Sequence, residues 1–342
     1  MQTYHEPTLS LEAGRKLWLD MRNDVYSEGL LEPSVRHTSA KLAVLSALFG
    51  AALYLSWIAT PWLALAMLYA VMALLLAQFA FVGHDAGHRS VSRSAAVNRA
   101  FGQLSMSLVT GLAFDEWMAR HRAHHQFCQD ESRDPDLAVA VVASLTSASS
   151  RGKTAVGQFM TRTQAFHIWL LSLFFGHSQR LISQVGVMRR LASHRLDALM
   201  LGGHFALWFG LPCGILGVPF TSALLTYLLP LSLLGPYLAA IFWVNHIGMP
   251  LIREVERFSF FEHQLVTSRT ITNSPAWNWM FGGLNLQIEH HLFPQVPSAR
   301  LSAVQAIVQA HCTRHRIAYH GVSWWQAVTS IAAHLRRVAR SA

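Results

Sequence analysis

Eight histidines stand in four short segments, spaced as metal ligands on helices would be: "HDAGH" (His84, His88), "HRAHH" (His121, His124, His125), "VNH" (His246) and "QIEHH" (His290, His291). Residues three or four apart share one face of a helix, so His84 with His88, and His121 with His124 and His125, can aim imidazoles at one place. Imidazole suits zinc, copper, iron and nickel, and a single zinc takes about four ligands. Eight histidines, with Gln287 three residues before His290, exceed that need and suffice for two metals. Two irons would combine this ligation with redox chemistry, which zinc cannot supply. Asp85 and Glu289 adjoin the histidines. They are expected either as ligands or, the favoured role, as hydrogen-bond partners that fix the tautomer of ligand imidazoles.

The elements that must hold these groups belong to a membrane protein. Only 13% of the 342 residues are charged and 52% are hydrophobic, against about 25% charged in a soluble domain. No Asp, Glu, Lys or Arg occurs between Lys41 and His84, nor between Ala198 and Arg253. Each interval holds two apolar runs long enough to cross a bilayer as helices, separated by a polar or proline break. Spans are expected at about 42–59, 62–82, 198–217 and 222–244. His84 and His246 then follow the second and fourth spans, and this registration with topology strengthens the metal reading.

All 27 Lys and Arg fall outside the two intervals, which places the three charged segments on the cytoplasmic side. The net charge of +9 is accounted for by that distribution and by attraction to anionic headgroups, so it is poor evidence for nucleic acid, and no nucleic-acid partner is expected. Three scattered cysteines suggest neither disulfides nor a cysteine metal site. The N-terminal residues lack the pattern of a signal peptide. Two shorter apolar stretches, 97–114 and 164–176, are expected in the interface or re-entering it. "LSAVQAIVQAHCTRHR" reads as an amphipathic helix with Leu301, Val304, Ile307 and Val308 on one face and Ser298 as its cap. The eleven histidines outside the boxes, His263 and His204 among them, are read as hydrogen-bonding or headgroup contacts.

The fold class is therefore an all-α integral membrane protein: four transmembrane helices in two hairpins, a cytoplasmic helical cap, and interfacial helices carrying the histidine boxes. The chain divides into an N-terminal segment (1–41), a membrane domain (42–300) and a C-terminal helical tail (301–342).

The boxes, with "HRAHHQFCQDESRDPD" and its Asp134, Pro135 and Asp136, and "NHIGMP", resemble the membrane fatty acid desaturase family, a histidine-box, non-haem diiron family. The likeness covers roughly residues 40–300, and the QxxHH third box is similar to the front-end and some bacterial acyl-CoA branches. The resemblance implies two irons held by His84, His88, His121, His124, His125, His246, His290 and His291. It places Gln287 near them, as a direct ligand, through water or by a hydrogen bond, with Asp85, Glu289 and Asn245 supporting the ligands. It implies removal of two hydrogens from adjacent methylenes of a fatty acyl chain, as acyl-CoA or acyl-lipid, using O2 and two electrons. No haem-binding HPGG motif occurs in the sequence. The electrons are therefore expected from a separate ferredoxin, or cytochrome b5 with its reductase, with Arg120, Arg122, Arg253 and Arg257 as docking contacts. Trp117, Trp243, Trp277 and Trp279 are candidates to shape an acyl tunnel, with interfacial anchoring as their other role. The expected location is a bacterial inner membrane with a cytoplasmic-side active site.

A lipid hydroxylase or ketolase with a similar iron centre is the closest rival, and box spacing with Gln287 favours desaturation. A zinc hydrolase would not need so many ligands. A metal transporter would carry acidic residues within its spans, and these have none.

Overall fold

The computed structural model describes residues 4–138, 143–272 and 274–341. The described chain is almost wholly helical. In order it runs α1 (Leu11–Ser27), α2 (Val35–Ile58), α3 (Trp62–Gly87), α4 (Ala95–Gly102), α5 (Phe114–Phe127), α6 (Ala155–Leu171) and α7 (Phe175–Arg189). It continues through α8 (Arg195–Phe205), α9 (Phe220–His246), α10 (Phe260–Thr267), α11 (Pro275–Met280), α12 (Gln287–Leu292), α13 (Leu301–Arg314) and α14 (Trp324–Ala339). Two short parallel strands, β1 (Thr270–Ile271) and β2 (Gly321–Val322), pair with each other.

The expected all-α membrane protein forms, with four helices long and apolar enough to cross a bilayer. They are Val35–Ile58, Trp62–Gly87, Arg195–Ile215 and Phe220–His246, of 24, 26, 21 and 27 residues. At about 1.5 Å per residue, α2, α3 and α9 exceed the roughly 30 Å hydrocarbon core. Each therefore extends beyond its apolar run, and the last turns of α3 and α9 carry His84 and His246. The third span continues from α8 as a π-helix, Ala206–Ile215, around Pro212, whose ring cannot continue regular α-helical bonding. Val44, Leu48, Leu63, Met67, Leu199 and Leu225 stand exposed along the spans, a surface suited to lipid and not to water. The stretch 97–114 folds into α4, a π-helix (Gln103–Thr110) and the start of α5, and 164–176 into α6, a 3-10 turn and the start of α7.

The chain forms two compact units. The first comprises 1–32, 120–171 and 240–342; the second comprises 33–119 and 172–239. In the second unit α2 packs along α3, and Phe49 meets both Phe79 and Trp208 edge-on. Tyr69 and Thr226 share a hydrogen bond of 3.2 Å between α3 and α9.

In the first unit α1, α10, α12 and α13 bury one core, including Met21, Val25, Phe261, Leu265, Ile288 and Leu292. The amphipathic reading of α13 holds: Leu301, Val304 and Val308 are fully buried, worth about 1.5–3 kcal/mol each. Its N-cap is Arg300, whereas Ser298 opens the preceding 3-10 turn. Arg300 Nη1 donates to the carbonyl of Glu32 at 2.5 Å, which ties the chain after α1 to this core. A separate core, with Ile168, Val244, Ile331 and Leu335, joins α6, the end of α9 and α14.

Candidate metal centre

Consecutive residues on a helix point about 100° apart. The doublets His124–His125 on α5 and His290–His291 on α12 therefore cannot each serve one point, and the first unit shows what they do instead. His125 Nε2 lies 3.1 Å from His121 Nε2 and 3.1 Å from His290 Nε2. His124 turns away from that trio and joins His246, His291 and Cys128, whose ligating atoms all lie within 4.8 Å of one another. Each doublet thus contributes one imidazole to each of two groups. The sequence spacing had placed all three α5 histidines on one face; the structure divides them two and one.

The second group has fixed tautomers. His124 Nδ1 meets Asp134 Oδ1 at 3.0 Å, His246 Nδ1 meets the Thr267 carbonyl at 3.1 Å, and His291 Nδ1 meets Gln264 Oε1 at 2.7 Å. A carbonyl or amide oxygen can only accept, so His246 and His291 donate through Nδ1 and carry their lone pair on Nε2. His291 Nε2 is buried with no hydrogen-bond partner among the described residues. Burial of an unpaired imidazole nitrogen costs free energy, and coordination of a metal ion would offset it. The residues fit such an ion: three converging imidazoles, each oriented from behind by an oxygen.

Asp134 is set by local chemistry. It caps a 3-10 turn with Pro135 at the first position, and its Oδ1 accepts from the Asp136 amide at 2.9 Å. Its Oδ2 accepts from the Gln129 amide at 2.8 Å. Gln129 sits at φ 60°, a conformation uncommon outside glycine, and its side chain donates to the His246 carbonyl at 3.0 Å. Burial opposes a charge on His124, but nearby Cys128, Asp136 and Asp134 outweigh it and raise its pKa well above the usual imidazole value. His291 is shifted the opposite way, well below, by burial and by four neighbouring imidazoles.

α12 is placed by the turn before it. Gly283 has φ 74°, and a Cβ there would lie 2.6 Å from the Ser298 carbonyl oxygen, so the position excludes side chains. Ile288 and Leu292 face the core, while His290 meets the His125 ring and His291 the His246 ring.

Gln287 lies beside the second group, its Nε2 3.0 Å from His246 Nε2. Its oxygen accepts from Asn245 Nδ2 at 3.0 Å, and Asn245 also donates to the Leu284 carbonyl at 2.8 Å. The amide therefore turns its nitrogen, which cannot ligate, toward His246. Glu289 differs from its expected orienting role. Its carboxylate accepts from Thr270 Oγ1 at 2.6 Å and Tyr319 OH at 2.7 Å, and burial raises its pKa. It ties α12 to β1 and the residues before β2.

In the second unit His84 and His88 pair with each other, ring centroids 4.7 Å apart, and Trp117 stands 6.1 Å from His84. Asp85 Oδ1 is 3.8 Å from His84 Nδ1, too long for a hydrogen bond. Trp243 packs against Trp169 in the α6/α14 core, while Trp277 and Trp279 are 42% and 69% exposed on α11. These three placements suit packing and anchoring better than the lining of an enclosed tunnel.

Cys128, Gln264, Thr267 and His263 were not among the sequence candidates for the centre. None lies in a histidine box, and their contribution is made by a thiol, an amide, a carbonyl and a buried ring brought in by folding.

The family model for fatty acid desaturase matches residues 42–323, and the chain belongs to that family. It is similar to Delta(8)-fatty-acid desaturase 1 of Arabidopsis thaliana, 29% identical over 320 residues that cover 87% of this chain and 69% of the relative. The Delta(8)-fatty-acid desaturase of Borago officinalis is 27% identical, covering 80% of this chain and 64% of the relative. Fatty acid desaturase 2-like protein FADS2B of Mus musculus is 25% identical, covering 88% and 62%. This chain spans about two thirds of the length of these relatives.

Proposed function

We propose that the protein is an oxygen-dependent fatty acyl desaturase of the front-end-like QxxHH branch, with two irons held by its box histidines. The observation that carries this reading is the division of each histidine doublet between two imidazole groups. His124, His246 and His291, each with Nδ1 turned to an oxygen behind it, would hold one iron. His121, His125 and His290 hold the other, with His84 and His88 added on the strength of the first histidine box in the sequence. When bound, the irons would supply the activation of O2: with two electrons and two protons from outside, two hydrogens leave adjacent methylenes as a double bond forms and O2 is reduced to two waters. Gln287, whose nitrogen faces His246 Nε2 at 3.0 Å, would release that nitrogen as the ion binds and stand beside the centre without ligating through its amide nitrogen.

The protein's share of the chemistry is placement, since a methylene offers no charge or polar handle. Asp134, Thr267 and Gln264 hold ligand rings in orientation, and the surrounding apolar residues exclude water. The substrate is an acyl chain presented from the membrane as acyl-CoA or acyl-lipid. The electrons come from a ferredoxin or cytochrome b5 with its reductase, docking on the basic side, and the positive-inside rule supports reading that side as cytoplasmic. Of the suggested docking residues, Arg120 is 3.8 Å from Asp136, Arg257 is 2.9 Å from Glu6 and Arg253 stacks over Tyr4, which leaves Arg122 the most direct test of that contact.

Coexpression with an electron donor, followed by mass spectrometry of the cellular fatty acids, tests the reading. New double bonds that disappear in His290→Ala and His291→Ala support desaturation. A hydroxylated or ketone product would assign the chain to the oxygen-inserting chemistry instead.

A further inference from the structure

We propose that Gln264, outside every histidine box, is a positioning residue that fixes His291 in its metal-binding tautomer. The inference rests on the reading of the His124, His246 and His291 group as a metal site. Its logic begins at two backbone carbonyls near the end of α5, where a helix leaves its last oxygens without intrahelical partners. The His125 carbonyl accepts from Gln264 Nε2 at 3.0 Å. The Cys128 carbonyl accepts from His263 Nε2 at 2.9 Å, which leaves His263 Nδ1, 3.1 Å from Gln264 Nε2, as the acceptor of the amide's other hydrogen.

Both hydrogens of the Gln264 amide are thus spent, and the reversed amide would set an oxygen against the His125 carbonyl. The direction of the group is settled, and Oε1 faces His291 Nδ1 at 2.7 Å. That oxygen can only accept, so the proton of His291 sits on Nδ1 and its lone pair on Nε2. Gln264 is 1% exposed, His263 4% and His291 1%, so bulk water does not compete for these bonds. The orphan carbonyls that end α5 therefore determine, through one amide, which nitrogen α12 offers. The same helix that supplies His124 also sets the tautomer of its co-ligand.

The test compares the purified full-length protein with Gln264→Leu, which loses all three hydrogen bonds, and Gln264→Glu, which keeps an acceptor for His291 Nδ1. Iron per chain is measured during titration with a chelator, alongside thermal unfolding. Gln264→Leu should release one of two irons about 10- to 100-fold more readily, the range for loss of a ligand's hydrogen-bond partner, and Gln264→Glu should fall between it and the wild type. A purely structural role would lower the unfolding temperature of both variants and leave iron retention unchanged, and that result overturns the proposal.

A second measurement needs no variant to fold well. In wild-type protein loaded with diamagnetic zinc, the nitrogen-15 spectrum should show His291 protonated at Nδ1 and bound through Nε2; the opposite assignment overturns the proposal. Wild-type protein that binds iron while Gln264→Leu keeps it equally well defeats the positioning role alone. Wild-type protein that binds no metal defeats the metal reading as well.

Discussion

Two buried clusters place an imidazole among polar partners, and they use its nitrogens differently. In the second unit, His204 Nδ1 lies 2.9 Å from the Leu108 carbonyl and donates to it, while Nε2 accepts from Arg180 Nη2 at 2.9 Å. Tyr227 closes the cluster, hydrogen-bonded to Arg180 and under its guanidinium, and burial draws the Arg180 pKa down to about 9. Both ring nitrogens of His204 are occupied. In the first unit His291 spends Nδ1 on Gln264 and leaves Nε2 buried beside other imidazoles. Burial alone therefore does not make a histidine a ligand. The difference lies in the second nitrogen, which a guanidinium holds in His204 and no hydrogen bond among the described residues holds in His291.

The sharpest way to break the comparison is to remove an open nitrogen. His291→Ala should lose one of two irons and lower product formation by more than the roughly 10- to 100-fold typical of lost outer partners, read by metal analysis and fatty-acid mass spectrometry. Retained product in folded, membrane-inserted protein would place the site elsewhere. Asp134→Asn keeps the shape of the group that backs His124 but removes its charge. Iron affinity should fall about 10- to 100-fold, measured by chelator competition.

On the other side of the comparison, His204→Phe should leave both irons in place. It should cost about 1–3 kcal/mol of stability, because it strips an acceptor from the buried Arg180 and a donor from the Leu108 carbonyl. Denaturant unfolding reads that loss, and any loss of iron from this variant would end the distinction between the clusters. The smallest effect is expected for Trp279→Ala, within about 0.5 kcal/mol and with the double-bond position unchanged. A shifted double bond would place Trp279 in the acyl passage despite its exposure.

The spans were legible because a bilayer tolerates few charges, and two intervals without any are hard to produce otherwise. The box histidines were legible because helical spacing is written in the chain itself. What spacing could not show is which of two adjacent histidines serves which group. That depends on where α5 and α12 lie, and hence on contacts such as Gly283 against Ser298. The groups behind the ligands were equally hidden. Thr267 contributes only a carbonyl, which every residue type has, and Gln264 stands 27 positions from the ring it orients. Glu289 misled because adjacency in sequence suggested a partner for a ligand imidazole, whereas on a helix the neighbouring side chain points elsewhere and meets Thr270 and Tyr319.

The central claim is that the two histidine doublets serve two metal ions. Iron quantified per chain in the purified protein grown with iron-57, with Mössbauer spectra, tests it most directly. Two non-haem irons per chain are expected, with His290→Ala and His291→Ala each depleting a different one. A single metal per chain, or zinc in an active protein that survives iron removal, would contradict it.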